Sequence, residues 1–328
     1  MKALILAGGQ GTRLRPLTLS RPKHLLPIAN RAHIDHVFDL LLAHGVDEAV
    51  LLTSYLAERF EEVVGQAAAR GLAVDVAHEP TPLDTAGAMK NAEASVATGT
   101  FLAINGDVLT QLDLGRLVDW HTRRGALATV ALTPVEDPSA YGVVVTEEDG
   151  RVTSFIEKPS AGTAPTNLIN AGVYVFEPEV LGWIPSGERY SVERALFPGL
   201  VAAGAPLYAA GSDAYWMDVG TAPNLLQANL DSLSGRFLTT AVPEAGPEAV
   251  AVAPGVQIGE GTRVVRSCVG EGSDLADAAG IEESVLLPGV KVGRSASVRA
   301  SVLGEGVVVQ PGAQIAGRTV ADGDVIFG

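Results

Sequence analysis

The sequence predicts an α/β domain with a mainly parallel sheet, followed by a parallel β-helix. From residue 1 to about 232, short apolar runs alternate with segments whose apolar residues recur at helical spacing, which is typical of an α/β domain. From Val252 onward, a seventeen-residue repeat takes over. A chain of 328 residues with a hydrophobic fraction of 47% has room for both parts and for a full core.

The elements of the α/β domain follow from these apolar patterns. The predicted strands are Ala3–Leu6, Ala49–Thr53, Phe101–Ile104, Thr129–Leu132, Gly142–Thr146, Val152–Glu157 and Gly172–Phe176. The predicted helices are Ile34–His44, Leu56–Arg70, Met89–Ala94, Leu114–Arg124, Tyr190–Ala203 and Pro223–Ser234. Such sheets bind ligands at the carboxyl ends of their strands, so the turn after the first strand is expected to face a ligand.

The repeat at the end of the chain keeps glycine in one column and aliphatic residues in three others. The glycine column is Gly255, Gly272, Gly289, Gly306 and Gly323, and the first aliphatic column is Val252, Val269, Leu286, Leu303 and Val320. About one inward aliphatic residue in six, three per repeat, is what a coil of a three-sided β-solenoid requires. The repeat resembles the hexapeptide repeat of left-handed β-helices, with one residue fewer per coil.

Two further expectations concern the C-terminal part. Cys268 shares a repeat column with Val285 and Val302, which predicts an inward packing role instead of a nucleophile. Residues 235–250 are rich in Pro, Gly and Ala and are expected to form a linker. The predicted domains are therefore 1–234 and 251–328, with the linker between them.

Composition narrows the classes of function. The net charge of −15 argues against nucleic-acid binding, which needs a basic surface. No apolar run reaches the roughly 20 residues of a membrane helix, and the chain leads directly into a strand instead of a signal peptide. A single cysteine excludes an internal disulfide and suits a reducing compartment. We therefore expect a cytoplasmic protein with no nucleic-acid or membrane partner.

The turn after the first strand predicts a triphosphate site. It reads Leu6-Ala7-Gly8-Gly9-Gln10-Gly11-Thr12-Arg13, and Lys23 follows. Glycines let the backbone approach an anion closely, and arginine and lysine supply charge and donors. Five of the 23 basic residues lie between residues 13 and 31, although the chain is acidic. The spacing matches neither a P-loop nor a dinucleotide-binding fingerprint.

Four polar residues near other strand ends are candidates for the same site. Asp107 follows the strand at 101–104, and Asp218 lies in an apolar run before a glycine. Two such carboxylates suit Mg²⁺, which takes one or two of them with phosphate oxygens, although a strand-end aspartate is also a common helix cap. Lys158, held before a proline, can bind a phosphate oxygen or can be an ordinary solvated lysine. Asn170 offers a donor and an acceptor for sugar hydroxyls.

Seven motifs, in order, resemble those of the sugar-1-phosphate nucleotidylyltransferase family. They are LAGGQGTRLRPLT at 6–18, RPKHLLP at 21–27, NGD at 105–107, YG at 141–142, EKP at 157–159, NAGVY at 170–174 and WMDVGT at 216–221. The family includes mannose-1-phosphate guanylyltransferases and glucose-1-phosphate thymidylyltransferases. The resemblance implies a Rossmann-like nucleotidyltransferase domain followed by a left-handed parallel β-helix. It also implies an Mg²⁺-dependent reaction of a nucleoside triphosphate with a sugar 1-phosphate that releases pyrophosphate.

The resemblance implies a role for each matched residue. Those implied to carry catalysis are Arg13, Lys23, Asp107, Lys158 and Asp218, with Asp107 and Asp218 as the metal ligands. Those implied to bind the nucleotide are Leu6, Ala7, Gly8, Gly9, Gly11, Thr12, Arg13, Lys23, Glu79, Thr85, Ala86, Gly87, Asn105 and Gly106. Those implied to bind the sugar phosphate are Gly142, Glu157, Lys158, Asn170 and Ala171. The β-helix is expected to join copies of the chain into a homo-oligomer, a dimer or a tetramer.

Glu79 is the candidate for recognition of the base. A carboxylate only accepts hydrogen bonds, whereas guanine presents two adjacent donors, so Glu79 favours guanine over thymine or uracil if it faces the base. The alternative is a loop carboxylate that points to water. The segment 21–30 is closer to thymidylyltransferases, and Asp84 stands where guanylyltransferases usually have glycine. GDP-mannose synthesis is the first hypothesis, dTDP- or UDP-glucose synthesis the second, and a non-catalytic regulatory paralogue the third.

Overall fold

The structure is a computed structural model that describes residues 1–79 and 81–328. Its residues group into two units. Unit 1 comprises Met1–Gly9 and Val37–Trp216, and unit 2 comprises Gln10–His36 and Met217–Gly328. The segment 10–36 therefore belongs by its contacts with the C-terminal part of the chain, although in sequence it lies within the predicted α/β domain. The linear boundaries at 234 and 251 stay predictions.

Unit 1 contains a nine-stranded sheet. Its strands are β1 (Lys2–Leu6), β2 (Glu48–Thr53), β3 (Ala73–His78), β4 (Phe101–Asn105), β5 (Ala128–Pro134), β6 (Gly142–Thr146), β7 (Val152–Glu157), β8 (Leu168–Phe176) and β9 (Leu207–Gly211). The order is β7-β6-β8-β4-β1-β2-β3, and β5 pairs with both β8 and β9. β1 runs parallel to β2 and β4, β2 to β3, and β5 to β9. The pairs β6–β7, β6–β8, β4–β8 and β5–β8 are antiparallel.

The central strands are apolar because both of their faces are covered. Leu4 in β1, Ala103 in β4 and Tyr174 in β8 are all fully buried. They pack in one core with residues of α3 and α6, such as Met89 and Phe197. Strands covered on both faces appear as continuous apolar runs, which is the pattern that predicts the first strand. The predicted α/β fold with a mixed sheet is confirmed.

Seven α-helices lie within the described residues. They are α1 (His33–Ala43), α2 (Glu61–Ala69), α3 (Asp84–Asn91), α4 (Glu93–Val96), α5 (Leu114–Arg124), α6 (Phe197–Ala202) and α7 (Ala222–Ser234). The ends of α5 follow from its sequence, because the Asp113 side chain accepts the Arg116 N–H and Gly125 ends the helix in the left-handed conformation. Across 1–79 and 81–328, no helix is long and apolar enough to cross a membrane.

Some predicted bounds are wrong. The sequence does not predict β3, an edge strand with no buried residue, or β9, in which only Leu207 and Ala209 are buried. The helix predicted at 56–70 is a 3-10 turn (Ala57–Phe60) followed by α2, and the segment predicted at 89–94 is divided between α3 and α4. The helix predicted at 190–203 is a π-helical turn (Val192–Leu196) followed by α6. Pro198 lies in the first turn of α6, where proline is tolerated because its missing N–H is not needed.

Unit 2 contains a parallel β-helix with three sheets. The first sheet is Ala251–Val252, Cys268–Val269, Val285–Leu286, Val302–Leu303 and Thr319–Val320. The second is Gln257–Ile258, Asp274–Leu275, Lys291–Val292, Val308–Val309 and Val325–Ile326, and the third is Arg263–Val265, Gly280–Glu282, Ser297–Arg299 and Gln314–Ala316. Each strand pairs with the strand one repeat later, as Val269 does with Leu286 and Leu286 with Leu303. This register confirms the seventeen-residue repeat.

The aliphatic columns of the repeat form the interior of the β-helix. Val269, Leu286 and Leu303 are fully buried in one continuous core. Cys268 is also buried, but it is not part of this core, and its thiol makes a hydrogen bond with the Ala29 backbone. It forms no disulfide, and burial raises the pKa of its thiol to about 12. A thiol that stays protonated is a poor nucleophile. Cys268 is therefore a buried packing residue and not a nucleophile, as predicted, but its predicted inward orientation is wrong, because neighbouring residues of a strand point to opposite faces.

Candidate active site

The glycine loop begins at the carboxyl end of β1. The Ala7 N–H donates to the Leu52 carbonyl at 2.8 Å, and the Ser54 hydroxyl donates to the Gly8 carbonyl at 2.7 Å. A Cβ on Gly8 would lie 2.9 Å from Glu79 Oε1, which is closer than side chains tolerate. Glycine at this position therefore lets the loop backbone lie against the Glu79 carboxylate.

Glu79 is buried, with 5% of its surface exposed. Its Oε2 accepts a hydrogen bond from the Leu83 N–H at 2.9 Å, and its own N–H donates to the Thr53 carbonyl at 2.9 Å. Burial raises the pKa of Glu79, and the Leu83 hydrogen bond opposes that shift. The alternative in which Glu79 points to water is therefore wrong. Pro80, the next residue in the chain, lies outside the described residues.

The first turn of α3 is attached to the segment 190–194. The N–H groups of Ala86 and Gly87 both donate to the Tyr190 carbonyl at 2.9 Å. Asp84 has a φ of 64°, a conformation that glycine adopts more readily than other residues, which accounts for the glycine usual in guanylyltransferases. The Asp84 carboxylate binds Arg194 Nη2 at 2.6 Å. The ion pair gives this chain a contact that a glycine could not make.

Asn105, Gly106 and Asp107 lie at the end of β4, the parallel neighbour of β1. Leu6 is in register with Asn105, and the Gly106 N–H donates to the Leu6 carbonyl at 3.0 Å. The carboxyl ends of parallel strands meet at one edge of a sheet. Asp107 and the turn that starts at Gly8 therefore leave the sheet as neighbours, as the motifs predict for a metal ligand beside a phosphate loop.

Gly142 and Glu157 lie opposite each other where β6 pairs with β7. A Cβ on Gly142 would lie 2.7 Å from Phe155 Cε1 and 3.1 Å from Glu157 Oε2, so a larger residue would displace the carboxylate. Lys158 follows with a φ of 48°, and its N–H donates to the Tyr141 carbonyl at 3.0 Å. Its ammonium nitrogen is 3.8 Å from Glu157 Oε1, and 66% of the side chain is exposed. The structure brings these three predicted sugar-phosphate ligands together.

A partly buried hydrogen-bond network joins Asn170 to Thr85. Asn170 Nδ2 donates to the Tyr174 hydroxyl at 2.8 Å, and that hydroxyl donates to Glu193 Oε1 at 3.2 Å. The Thr85 hydroxyl donates to Glu193 Oε2 at 3.2 Å. Burial, and then the nearby charge of Glu193, raise the pKa of Tyr174 well above its usual value. The phenol therefore stays protonated and keeps donating.

Neither Tyr174 nor Glu193 is among the site residues that the sequence predicts. The sequence feature that could have indicated Tyr174 is its position in the same motif as Asn170, four residues later. Nothing in the sequence links Glu193 to Thr85, because the two are 108 residues apart. Ala171, another predicted sugar-phosphate ligand, accepts the Trp216 indole N–H on its carbonyl at 2.8 Å.

The other predicted phosphate ligands lie in unit 2. Gly11 has a φ of 63°, and its carbonyl accepts a hydrogen bond from the Thr18 hydroxyl at 2.8 Å. A Cβ on Gly11 would lie 3.0 Å from Lys23 Cβ, so the chain folds back until Lys23 packs on this glycine. Thr12 begins the 3-10 turn that carries Arg13. The residues 11–13 and Lys23 therefore lie in one loop.

Arg13 and Asp218 form an ion pair in unit 2. Arg13 Nη2 is 3.6 Å from Asp218 Oδ2, and Asn224 Nδ2 donates to the Asp218 carbonyl at 2.6 Å. A Cβ on Gly220 would lie 2.5 Å from Arg13 Nη2 and 2.7 Å from Asp218 Oδ1. The glycine of the WMDVGT motif thus makes room for both charged groups. The sequence predicts each residue for the site but does not predict their pairing.

Asp107 in unit 1 and Asp218 in unit 2 are each a carboxylate, the kind of ligand that Mg²⁺ accepts. Mg²⁺ takes hard oxygen ligands, keeps several waters, and usually binds through one or two carboxylates plus substrate phosphates. Within the described residues, no group of three or more His, Cys, Asp or Glu side chains is arranged to hold a metal alone. Asp218 Oδ1 is buried, and a side chain at position 220 would collide with it. A single carboxylate suits an ion that takes its remaining ligands from phosphates and water.

Two families of known sequences match the two parts of the chain. Residues 2–235 match the nucleotidyl transferase family, and residues 241–327 match the GlmU-like C-terminal hexapeptide family. Mannose-1-phosphate guanylyltransferase of Mycobacterium tuberculosis is 38% identical over 283 residues, or 84% of this chain and 78% of the relative. UTP–glucose-1-phosphate uridylyltransferase of Synechocystis is 37% identical over 272 residues, or 79% and 69%.

Solved structures have the same fold. HddC from Yersinia pseudotuberculosis, crystallised with GMP-PN, has a TM-score of 0.61 and 28% identity, and the match covers 70% of this chain and 97% of HddC. The sheet topology, the order of the seven motifs and these matches all indicate the same family. The chain belongs to the nucleotidyl transferase family and is a sugar-1-phosphate nucleotidyltransferase with a C-terminal left-handed hexapeptide β-helix.

Proposed function

We propose that the protein transfers the guanylyl group of GTP to mannose 1-phosphate, forming GDP-mannose and pyrophosphate. The observation that carries this proposal is the Glu79 carboxylate, buried beside the Gly8 backbone. The Leu83 N–H uses Oε2, while Oε1 is the oxygen near Gly8. A carboxylate can accept the adjacent N1–H and N2–H donors of guanine, whereas thymine and uracil present one donor between two acceptors.

The names of the relatives support this choice and also favour a second candidate. The relative from Mycobacterium tuberculosis is a mannose-1-phosphate guanylyltransferase, and HddC was crystallised with GMP-PN. The uridylyltransferase of Synechocystis is almost as similar, at 37% identity. The second candidate function is therefore uridylyl or thymidylyl transfer to glucose 1-phosphate.

The proposed reaction is a single in-line displacement. A phosphate oxygen of the sugar 1-phosphate attacks the α-phosphorus of the nucleotide, the bond from that phosphorus to the bridging oxygen breaks, and pyrophosphate leaves. The nucleophile is already an anion near neutral pH, so no general base is needed. The protein holds two phosphates in line and neutralises their charge, and orientation alone can supply about 7–11 kcal/mol of the barrier.

The cations of the site divide between the two substrates in this proposal. Arg13 and Lys23 bind the triphosphate, with Lys23 at the α-phosphate that is attacked. Lys158 binds the phosphate of the sugar, and Glu157, 3.8 Å from its ammonium nitrogen, accepts hydrogen bonds from sugar hydroxyls. An Arg or Lys on a phosphate makes a charge-assisted hydrogen bond, which is roughly twice as strong as a neutral one.

Asp107 and Asp218 would hold Mg²⁺. When bound, the ion would neutralise phosphate charge at the reacting centre. Arg13 lies 3.6 Å from Asp218, so the guanidinium and the carboxylate are presented together. Unit 2 thus offers the triphosphate a cation and a metal ligand that are paired although they come from distant parts of the chain.

Replacing Glu79 with glutamine is expected to reverse the preference for the base. Glutamine can still accept the Leu83 N–H, but its amide also donates, which suits O4 and N3–H of a pyrimidine. A paired hydrogen-bond contact to a base is worth roughly 1–3 kcal/mol of discrimination. We expect the ratio of kcat/KM for GTP to kcat/KM for dTTP to fall by about 10- to 100-fold. Pyrophosphate release with each nucleotide measures this ratio.

The control for that variant is Glu93→Gln. Glu93 pairs with Lys90 at 2.8 Å on the helix surface, and its replacement should leave the base preference unchanged. Because burial raises the pKa of Glu79, the neutral glutamine should not lower the unfolding temperature relative to the control. An unaltered preference for GTP in Glu79→Gln would show that Glu79 does not read the base.

We also propose that the β-helix joins copies of the chain into a dimer or tetramer, and that the enzyme works in the cytoplasm. The last coil exposes Val325 and Phe327 and ends on strands with an unpaired edge, which a second copy can cover. The cytoplasmic location is supported by the single cysteine, Cys268, which forms no disulfide.

A further inference from the structure

The last coils of the β-helix bind the phosphate loop, defined here as residues 10–23. Arg21 lies two residues before Lys23, and 17% of its side chain is exposed. Its Nη2 is 2.6 Å from Glu305 Oε2 and 3.0 Å from Asp322 Oδ2. The Ser20 hydroxyl donates to the same Asp322 oxygen at 2.5 Å. Two consecutive loop residues are therefore held by carboxylates from the far end of the chain.

Asp322 divides its two oxygens between the coil and the loop. Its Oδ1 accepts the Glu305 N–H at 2.8 Å, which leaves Oδ2 for Ser20 and Arg21. Burial raises the pKa of Asp322, but hydrogen bonds from Ser20 and the Glu305 N–H, and the charge of Arg21, outweigh burial and lower it. The carboxylate that faces the loop is thus ionised at neutral pH.

The same coil geometry occurs earlier in the β-helix without the loop. Asp277 Oδ1 accepts the Glu260 N–H at 3.0 Å, and its Oδ2 binds Arg294 Nη2 at 3.0 Å. A Cβ on Gly259 would lie 2.7 Å from Asp277 Oδ1, as one on Gly304 would lie 2.6 Å from the equivalent oxygen in the last coils. The coil therefore needs the Oδ1 hydrogen bond, and the contact with the loop is additional.

A second attachment lies on the other side of Lys23. Asn30 Nδ2 donates to the Ala251 carbonyl at 3.0 Å and to the Val269 carbonyl at 3.1 Å. These carbonyls belong to the first two strands of the first sheet of the β-helix. The segment that contains Lys23 is thus fixed to the last coils at Arg21 and to the first coils at Asn30. The β-helix serves as its support along the length of the segment.

We propose that Glu305 and Asp322 are positioning residues for nucleotidyl transfer, which hold Arg21 and through it place Lys23 for the α-phosphate. The inference rests on the role proposed for Lys23. A loop ordered before the substrate binds avoids the cost of being ordered during binding. Misplacement of a binding group by about 1 Å can cost 10²-fold in rate. The β-helix would then contribute to catalysis in addition to assembly.

The test compares Asp322→Asn with Asp277→Asn in the full-length protein. Asparagine keeps the Oδ1 acceptor of the coil in both variants, and only the first variant removes charge that faces Arg21. We expect Asp322→Asn combined with Glu305→Gln to lower kcat/KM for the nucleotide about 10- to 100-fold. The KM for the sugar phosphate and the unfolding temperature should match those of Asp277→Asn, which should stay within about twofold of wild type.

Variants of Arg21 complete the test. Arg21→Lys should keep part of the activity because it keeps the charge, whereas Arg21→Gln should lose as much as the double carboxylate variant. Combining Arg21→Gln with that variant should add less than about twofold, since both remove one interaction. Losses that multiply in the combination, or equal activity of the Asp322 and Asp277 variants, would overturn the inference.

Lys23→Ala separates this inference from the proposed function. Full activity in Lys23→Ala would overturn both the proposed role of Lys23 and the proposal that Glu305 and Asp322 position it. An inactive Lys23→Ala beside a fully active carboxylate variant would overturn the positioning alone. An inactive Lys23→Ala beside an impaired carboxylate variant supports both.

Discussion

Replacing Lys23 with alanine is expected to lower kcat about 10³-fold with every nucleotide the enzyme accepts. Negative charge accumulates around the α-phosphorus as the sugar phosphate attacks, and removing one preorganised donor at such a centre typically costs 10²–10³ in kcat. Lys23→Arg should not restore full activity, because a planar guanidinium cannot replace the compact ammonium group. Steady-state pyrophosphate release at saturating substrates measures both effects.

The fold should tolerate the change at Lys23. The part of Lys23 that packs on Gly11 is its Cβ, which alanine keeps. The unfolding temperature of Lys23→Ala should therefore stay close to that of wild type. A folded Lys23→Ala protein that retains more than about one tenth of wild-type kcat would mean that Lys23 does not contact the reacting phosphate.

Asp218→Asn is the second variant with a large expected effect, a loss of about 10³-fold in kcat. It removes a carboxylate proposed to hold Mg²⁺ and the partner that lies 3.6 Å from Arg13, while the shape of the side chain stays the same. Carboxylates are hard ligands that Mg²⁺ prefers over amides. Titration of activity with Mg²⁺ should show half-maximal activity shifted to higher concentration, by about 10-fold or more.

The control for Asp218→Asn is Asp213→Asn. Asp213 is exposed and is not among the residues proposed for the site, so its replacement should leave both kcat and the Mg²⁺ titration unchanged. If Asp218→Asn shows the same Mg²⁺ titration as the control, Asp218 does not bind the metal. A lower kcat with an unshifted titration would instead assign Asp218 to the placement of Arg13.

The β-helix could be predicted almost completely because its contacts repeat at a fixed sequence spacing. Val269, Leu286 and Leu303 pair in sequence with a constant offset, so one column of the repeat determines the register of the next. In unit 1, β1 and β4 could be predicted from their apolar runs. β3 could not be predicted in this way, because an exposed edge strand does not need a run of apolar residues.

The candidate site could be predicted as a set of residue types but not as a set of contacts. Motifs placed Gly8 and Asp107 at the ends of strands that prove to be parallel neighbours. The burial of Glu79 and the binding of Arg21 by Glu305 could not be predicted, since they depend on contacts between distant segments. Arg21 and Glu305 are 284 residues apart, and no periodicity links them.

Pyrophosphate release by the wild-type enzyme is the most direct test of the proposed synthesis of GDP-mannose. Each of GTP, dTTP and UTP is paired with mannose 1-phosphate and with glucose 1-phosphate in the presence of Mg²⁺. We expect the highest kcat/KM with GTP and mannose 1-phosphate, and stoichiometric formation of GDP-mannose. Turnover with dTTP or UTP and glucose 1-phosphate, and none with GTP and mannose 1-phosphate, would contradict it.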